Sequence, residues 1–176
     1  TYTASMDGKI EMQNDRIVVL PVHEVSGNAE LAEGNIDFRG DIVIHGNVES
    51  GVNIRATGSI TIDGVAEACM LEAGKDIILR GGMLGGNKAS VKTKGAITAK
   101  FFEFTNILCE GDLQADVLMD CSVICHGQIR LTGRKGSIIG GKVQAIRGLI
   151  ATSLGNDAEK RTEIFVGAGI DVYSRL

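Results

Sequence analysis

From about residue 34 the chain returns again and again to one pattern: an apolar residue, three residues, glycine, any residue, apolar, any, apolar. It reads IDFRGDIVI at 36–44, IRATGSITI at 54–62, VKTKGAITA at 91–99, ILCEGDLQA at 107–115 and VICHGQIRL at 123–131. Looser copies are MLEAGKDIIL at 70–79, with one extra residue, and SIIGGKVQA at 137–145. The anchoring glycines are Gly40, Gly58, Gly74, Gly95, Gly111, Gly127 and Gly141, spaced by 18, 16, 21, 16, 16 and 14 residues. Self-similarity at such a period defines a solenoid, in which each repeat buries its apolar face only against its neighbours.

The columns of the repeat set what faces what. Four residues before the glycine stand Ile36, Ile54, Met70, Val91, Ile107, Val123 and Ser137. Two after it stand Ile42, Ile60, Ile97, Leu113, Ile129 and Val143, with Ile77 displaced by the insertion. Between them runs a polar column, Asp41, Ser59, Lys75, Ala96, Asp112, Gln128 and Lys142. Alternation with period two gives strands with one buried and one wet face. The glycine is expected to supply a bend with positive φ. The fold class is therefore all-β: a single-stranded right-handed parallel β-helix of about 7 coils, 14–21 residues each. The uneven coil length favours the right-handed form over the left-handed one, which prefers strict six-residue units.

Three segments follow. Residues 1–33 alternate without the glycine column and read as an extended leading and capping segment; 34–155 form the β-helix; 156–176 close it, with TEIFVGAG at 162–169 as a closing strand. The start TYTASMDGKI lacks an initiator Met, so a fragment of a longer protein is expected. It shows no signal peptide, and no apolar run reaches the ~18 residues of a membrane span. Four cysteines in 176 residues do not make a disulfide framework, which points to reduced thiols and a cytoplasmic setting. A net charge of −4 argues against a dedicated nucleic-acid binder.

Several stretches invite chemistry. CSVICH at 121–126 offers two cysteines and a histidine. In the repeat frame Cys125 points inward and His126 outward, so the two cannot share a metal; Cys125 instead stacks on Cys109 of the preceding coil. GGMLGGNKAS at 81–90 resembles a phosphate loop, but Asn87 separates Gly86 from Lys88 and Ala89 replaces the magnesium-holding hydroxyl. It falls in the longest interval and is expected to bulge as a loop. The outward acids Asp37, Asp41, Asp63, Asp112 and Asp116 form no paired-carboxylate cluster that the sequence can place. No catalytic residue, cofactor or metal is therefore expected.

Two features point to protein contacts. AKFFEF places Phe101, Phe102 and Phe104 together, and consecutive Phe101 and Phe102 cannot both face the core of a strand. Charge is also graded along the chain: residues 1–90 carry 13 acids and 7 bases, residues 91–176 carry 9 and 11. Between Asp120 and Asp157 there is no acid, whereas Arg130, Arg134, Lys135, Lys142 and Arg147 are all positive. A solenoid maps sequence order onto position, so the rod should be acidic early and basic late, with the basic end suited to an acidic protein partner or to another part of a longer chain.

The string GNIDFRGDIVIHGNVESGVNIRATGSITIDGVAEACMLEAGKDIILRGGMLGG, followed by ITAKFFEF and GRKGSIIGGKVQA, resembles the bacterial flagellar assembly protein A family. ASMDGKI and PVHEVSGNAEL resemble its leading segment, so the likeness covers most of the chain. The resemblance implies a cytoplasmic right-handed β-helix within a longer protein. It also implies a non-enzymatic scaffold acting in polar flagellum assembly or placement through protein partners, with no catalytic residues to carry over. Bactofilins, polymer-forming cytoskeletal β-helices, share similar Gly-Asp-Ile coils. Their alternative brings homo-oligomers, and a carbohydrate-active β-helix enzyme stands as a third reading.

Overall fold

Alternating apolar columns need a partner column 4.8 Å away to leave water, and the chain supplies one by stacking coil on coil. The computed structural model describes residues 8–167. Apart from one short 3-10 turn at Leu31–Glu33, every regular element in it is a strand. β1 (Gly8–Gln13) and β2 (Arg16–Val25) form an antiparallel hairpin. Its two-residue turn, Asn14-Asp15, has φ of 49° and 59°, the left-handed pair that a tight hairpin requires. All pairing after the hairpin is parallel, from β2 to β4 (Asp41–Ile44) and from β3 (Ile36–Phe38) to Asn53–Ala56 onward.

Two sheets result. In the nine-stranded sheet, eight strands from β2 to Leu149–Ile150 stack in sequence order, so the solenoid has about eight turns where the repeat count gives seven. The second, ten-stranded sheet holds the longer strands Met83–Thr93, Phe101–Cys109, Val117–Cys125 and Ser137–Ala145. These bend round a third corner at left-handed residues, with φ of 60° at Asn87, 46° at Phe104, 48° at Asp120 and 70° at Gly140. The core is a set of continuous ladders: Ile42, Ile60, Ile77, Ile97, Leu113 and Ile129 form one, ended by the exposed His23 and the half-buried Leu149. Ala29, Val48, Ala66, Met83, Phe102, Leu118 and Ile138 form another, all buried.

Two copies of the repeat sit differently from their sequence register. Leu71, not Met70, stacks on Ile54, and Met70 is 53% exposed. The corner position there belongs to Lys75, whose N–H donates to the Gly58 carbonyl, rather than to Gly74. In the seventh copy Gly141 stacks on Cys121, and Val143 joins the column of Val123. The corner residue of that coil is Arg147, whose N–H donates to the Gly127 carbonyl. The corner column is therefore Gly40, Gly58, Lys75, Gly95, Gly111, Gly127 and Arg147, spaced by 16 to 20 residues.

The corner glycines are also not chosen for positive φ. Of the five in the corrected column only Gly40 has it. A Cβ at Gly127 would lie 2.3 Å from Asp112 Oδ1 and 2.4 Å from the Gly111 carbonyl oxygen, so close approach between coils is the constraint. Segment 81–90 bulges as expected, with Gly86, Asn87 and Lys88 exposed and the five steps from Leu84 to Ala89 opposing only the two from Glu103 to Thr105, but it is strand and not loop. It runs mostly within the strand Met83–Thr93, with a register shift between Leu84 and Ala89. The closing strand is Thr162–Val166, paired with Ser137–Ala145; residues 168–169 of the expected segment lie outside the described residues.

Candidate interaction surfaces

At three of the corners that lead into the nine-stranded sheet, an aspartate reaches from one coil to the next. Asp41 Oδ1 accepts the Ser59 N–H at 2.7 Å, Asp76 Oδ1 the Ala96 N–H at 2.8 Å, and Asp112 Oδ1 the Gln128 N–H at 2.8 Å. Two of the outward acids, Asp41 and Asp112, are thus engaged in holding coils together. Asp76 was hidden by the shifted register. Asp63 is taken up as well: its Oδ2 lies 2.9 Å from His45 Nδ1, and its Oδ1 3.4 Å from Arg80 Nε. His45 Nε2 contacts Glu24 at 2.5 Å, making a Glu24–His45–Asp63–Arg80 ladder across four coils. The hydrogen bonds to Glu24 and Asp63 raise the His45 pKa above its ordinary value.

Cys109 and Cys125 are register partners, both fully buried, while His126 is exposed. Among the described residues no cluster of three or more His, Cys, Asp or Glu side chains is arranged to hold a metal ion. All four thiols are free and buried. Burial pushes Cys69 up to about 12 and Cys121 up to about 11; Cys109 is raised by its hydrogen bond to Cys125 and by burial.

The three phenylalanines part company. Phe102 is fully buried between Met83 and Leu118, so it belongs to the core and is corrected out of any contact surface. Phe101 is half-buried, its ring lying where a Cβ on Gly82 would meet it at 2.5 Å. Phe104 turns outward at the left-handed corner, and Lys160 Nζ sits 5.8 Å from its ring centroid. The same ammonium donates to the Asp120 carboxylate, strapping the segment before the closing strand across this corner.

The five basic residues fall on two faces. Arg130 is the outward residue of Ile129–Leu131, its Nε donating to Gln128 Oε1 at 2.7 Å. Arg147 occupies the corner one coil later, and Arg130 stacks on Ile150, three residues beyond it. Arg134 and Lys135 are exposed in the turn that follows Leu131. Lys142 stands on the second sheet between Ser122 and Glu163, with Nζ 5.5 Å from the Phe165 ring centroid. Arg130, Arg134, Lys135 and Arg147 thus flank one sheet in the last coils, and Lys142 faces elsewhere.

An eight-turn parallel stack with engaged carboxylates and graded surface charge defines a β-solenoid whose outward columns are available for contacts. The chain belongs to the flagellar assembly protein A beta solenoid domain family, whose model matches residues 21–176. No curated protein and no solved structure matches the chain. No helix among the described residues is long and apolar enough to cross a membrane.

Proposed function

We propose that the chain is a non-enzymatic β-helical scaffold, working in the cytoplasm in flagellum assembly or polar placement, which holds an acidic protein partner against its late coils. Membership of the flagellar assembly protein A family supports the flagellar part of this reading. The observation that carries the partner's chemistry is the charge of those coils: Arg130, Arg134, Lys135 and Arg147 are exposed around one sheet, and no acid occurs between Asp120 and Asp157. Such a field selects and steers an acidic surface. Phe101, Phe104 and Lys142 lie on other faces and would serve a second contact.

The test is a pull-down from the source cells with the full-length protein, wild type against Arg130→Glu/Arg134→Glu/Lys135→Glu. Loss of the captured partner, and its release from wild type by raised salt, is the expected result. Equal capture by both proteins at all salt concentrations defeats the reading.

A further inference from the structure

The opposite pole of the rod is built differently from the coils behind it. The inward residues of the first turn are His23, Val25, Ala29, Ile36 and Phe38. Each heads a buried column, yet no strand among the described residues lies over them. The β1–β2 hairpin does not serve as this lid: β1 pairs only with residues 16–21 of β2, while residues 22–25 pair with β4 on one side alone. β3 likewise pairs on one side, with Asn53–Ala56. The result is a hollow of about 300 Å³ floored by Val25, Ala29, Ile36 and Phe38, with the His23 ring 5.5 Å from that of Phe38. A histidine thus stands where every later coil places Ile or Leu.

The rim is acidic. Residues 24–38 hold four carboxylates and no Lys or Arg. Glu24 is bound to His45, whereas Glu30, Glu33 and Asp37 are exposed and have no ion pair among the described residues. Arg39 is the nearest cation in sequence, one corner further on. A strand edge and an acidic rim without partners among the described residues, beside an apolar floor, together describe an occupant: a strand that adds to the edge, puts apolar side chains on the floor and cations at the rim.

We propose that this pole docks an extended polypeptide segment bearing alternate apolar and Lys/Arg side chains, which adds to the edges of β2 and β3 that no described strand pairs. This site is independent of the basic face in the late coils, and selects the opposite charge.

The test uses an end-blocked, dye-labelled eight-residue peptide alternating Val and Lys, with a Val/Glu counterpart. The Val/Lys peptide is expected to bind the chain, to shift the backbone amide signals of residues 22–25 and 36–38, and to bind at least tenfold more weakly to Glu30→Lys/Glu33→Lys/Asp37→Lys. A control variant, Glu110→Lys/Asp157→Lys/Glu159→Lys, changes net charge equally at exposed positions away from the pole and should bind like wild type. Equal weakening of both variants, absence of binding, or equal binding of the Val/Glu peptide overturns the proposal. Sedimentation decides the remaining outcome. A mass that rises with concentration in wild type and not in the pole variant assigns the pole to a second copy of the chain and overturns it too.

Discussion

Replacing Gly127 by alanine tests the reason for the corner glycines. The new Cβ would sit 2.3 Å from Asp112 Oδ1 and 2.4 Å from the Gly111 carbonyl oxygen. The carboxylate can rotate away, but it then releases the Gln128 N–H that it holds at 2.8 Å, at a cost of about 1 kcal/mol. The carbonyl cannot follow. Gly127 N–H donates to it at 3.0 Å, and Gly111 N–H is itself bound to the Gly95 carbonyl at 2.9 Å, so three coils are tied through this one position. Forcing an extra carbon between them is overpacking, worth about 1–3 kcal/mol. Together the substitution should destabilise by roughly 2–4 kcal/mol. Arg147 is the control, because it fills the same column one coil later above Gln128 and already carries a side chain. Arg147→Ala should change stability by no more than about 0.5 kcal/mol. Urea titration followed by far-UV circular dichroism measures both. If Gly127→Ala unfolds at the wild-type midpoint, or Arg147→Ala loses as much, close approach between coils is not why glycine is there.

Three further outcomes are expected. His45 should titrate above a free histidine in an NMR pH series, and Asp63→Asn should move it back down; an ordinary value in wild type rejects the ladder. Because its folded pKa is raised, its contribution to stability is complete below the unfolded value of about 6.5 and disappears as pH rises through the folded one. The four buried thiols should resist Ellman's reagent in the folded chain and react on unfolding; stability should also fall as pH climbs past the ordinary thiol range, since unfolded thiols ionise and Cys69, near 12, does not. Lys160→Ala should speed hydrogen exchange around 156–162 by releasing the strap to Asp120 and Phe104, and leave exchange in the inner strands unchanged.

The repeat was readable because its strongest columns are apolar at a fixed offset from glycine. That offset places Ile107 beside Val123 and Cys109 beside Cys125, and turns His126 outward. It fails at coils three and seven, and the failure has a cause. Read as a bend, glycine should mark every corner, so Gly74 and Gly141 attract the register. Read as a close approach, it is demanded where the coil beneath presents an aspartate: Gly58 above Asp41, Gly95 above Asp76, Gly127 above Asp112. Above Ser59 and Gln128 the corner accepts Lys75 and Arg147 instead. At Gly111, above Ala96, a Cβ would meet backbone alone, 2.6 Å from the Gly95 carbonyl oxygen and 3.0 Å from the Ala96 nitrogen. A sequence gives each coil separately, while this rule joins two coils and needs the pairing first. The same limit hid the acidic pole. Its residues lie together within 23–38, but only the stacking shows that nothing among the described residues covers them.

The interior ladders make one surface independent of another. Between the two ends each inward column is satisfied by the coil above and the coil below, so outward side chains that make no bond between coils can change without altering the stack. The basic residues of the last coils and the carboxylates of the first therefore stand at fixed separation, six to seven coil steps of ~4.8 Å or roughly 29–34 Å. That exceeds the Debye length of about 8 Å at physiological ionic strength, so neither charge cluster screens or recruits for the other. Substitutions at the two ends should then combine additively: Arg130→Glu/Arg134→Glu/Lys135→Glu should leave binding of a Val/Lys peptide at the pole unchanged, and Glu30→Lys/Glu33→Lys/Asp37→Lys should leave capture of an acidic partner unchanged. If both proposed contacts form, a rod with opposite charge preferences at its ends would hold two different segments apart at a set distance. Coupling between the two sets would mean that the coils transmit strain, and that the stack is not the passive spacer its hydrogen-bonded corners make it.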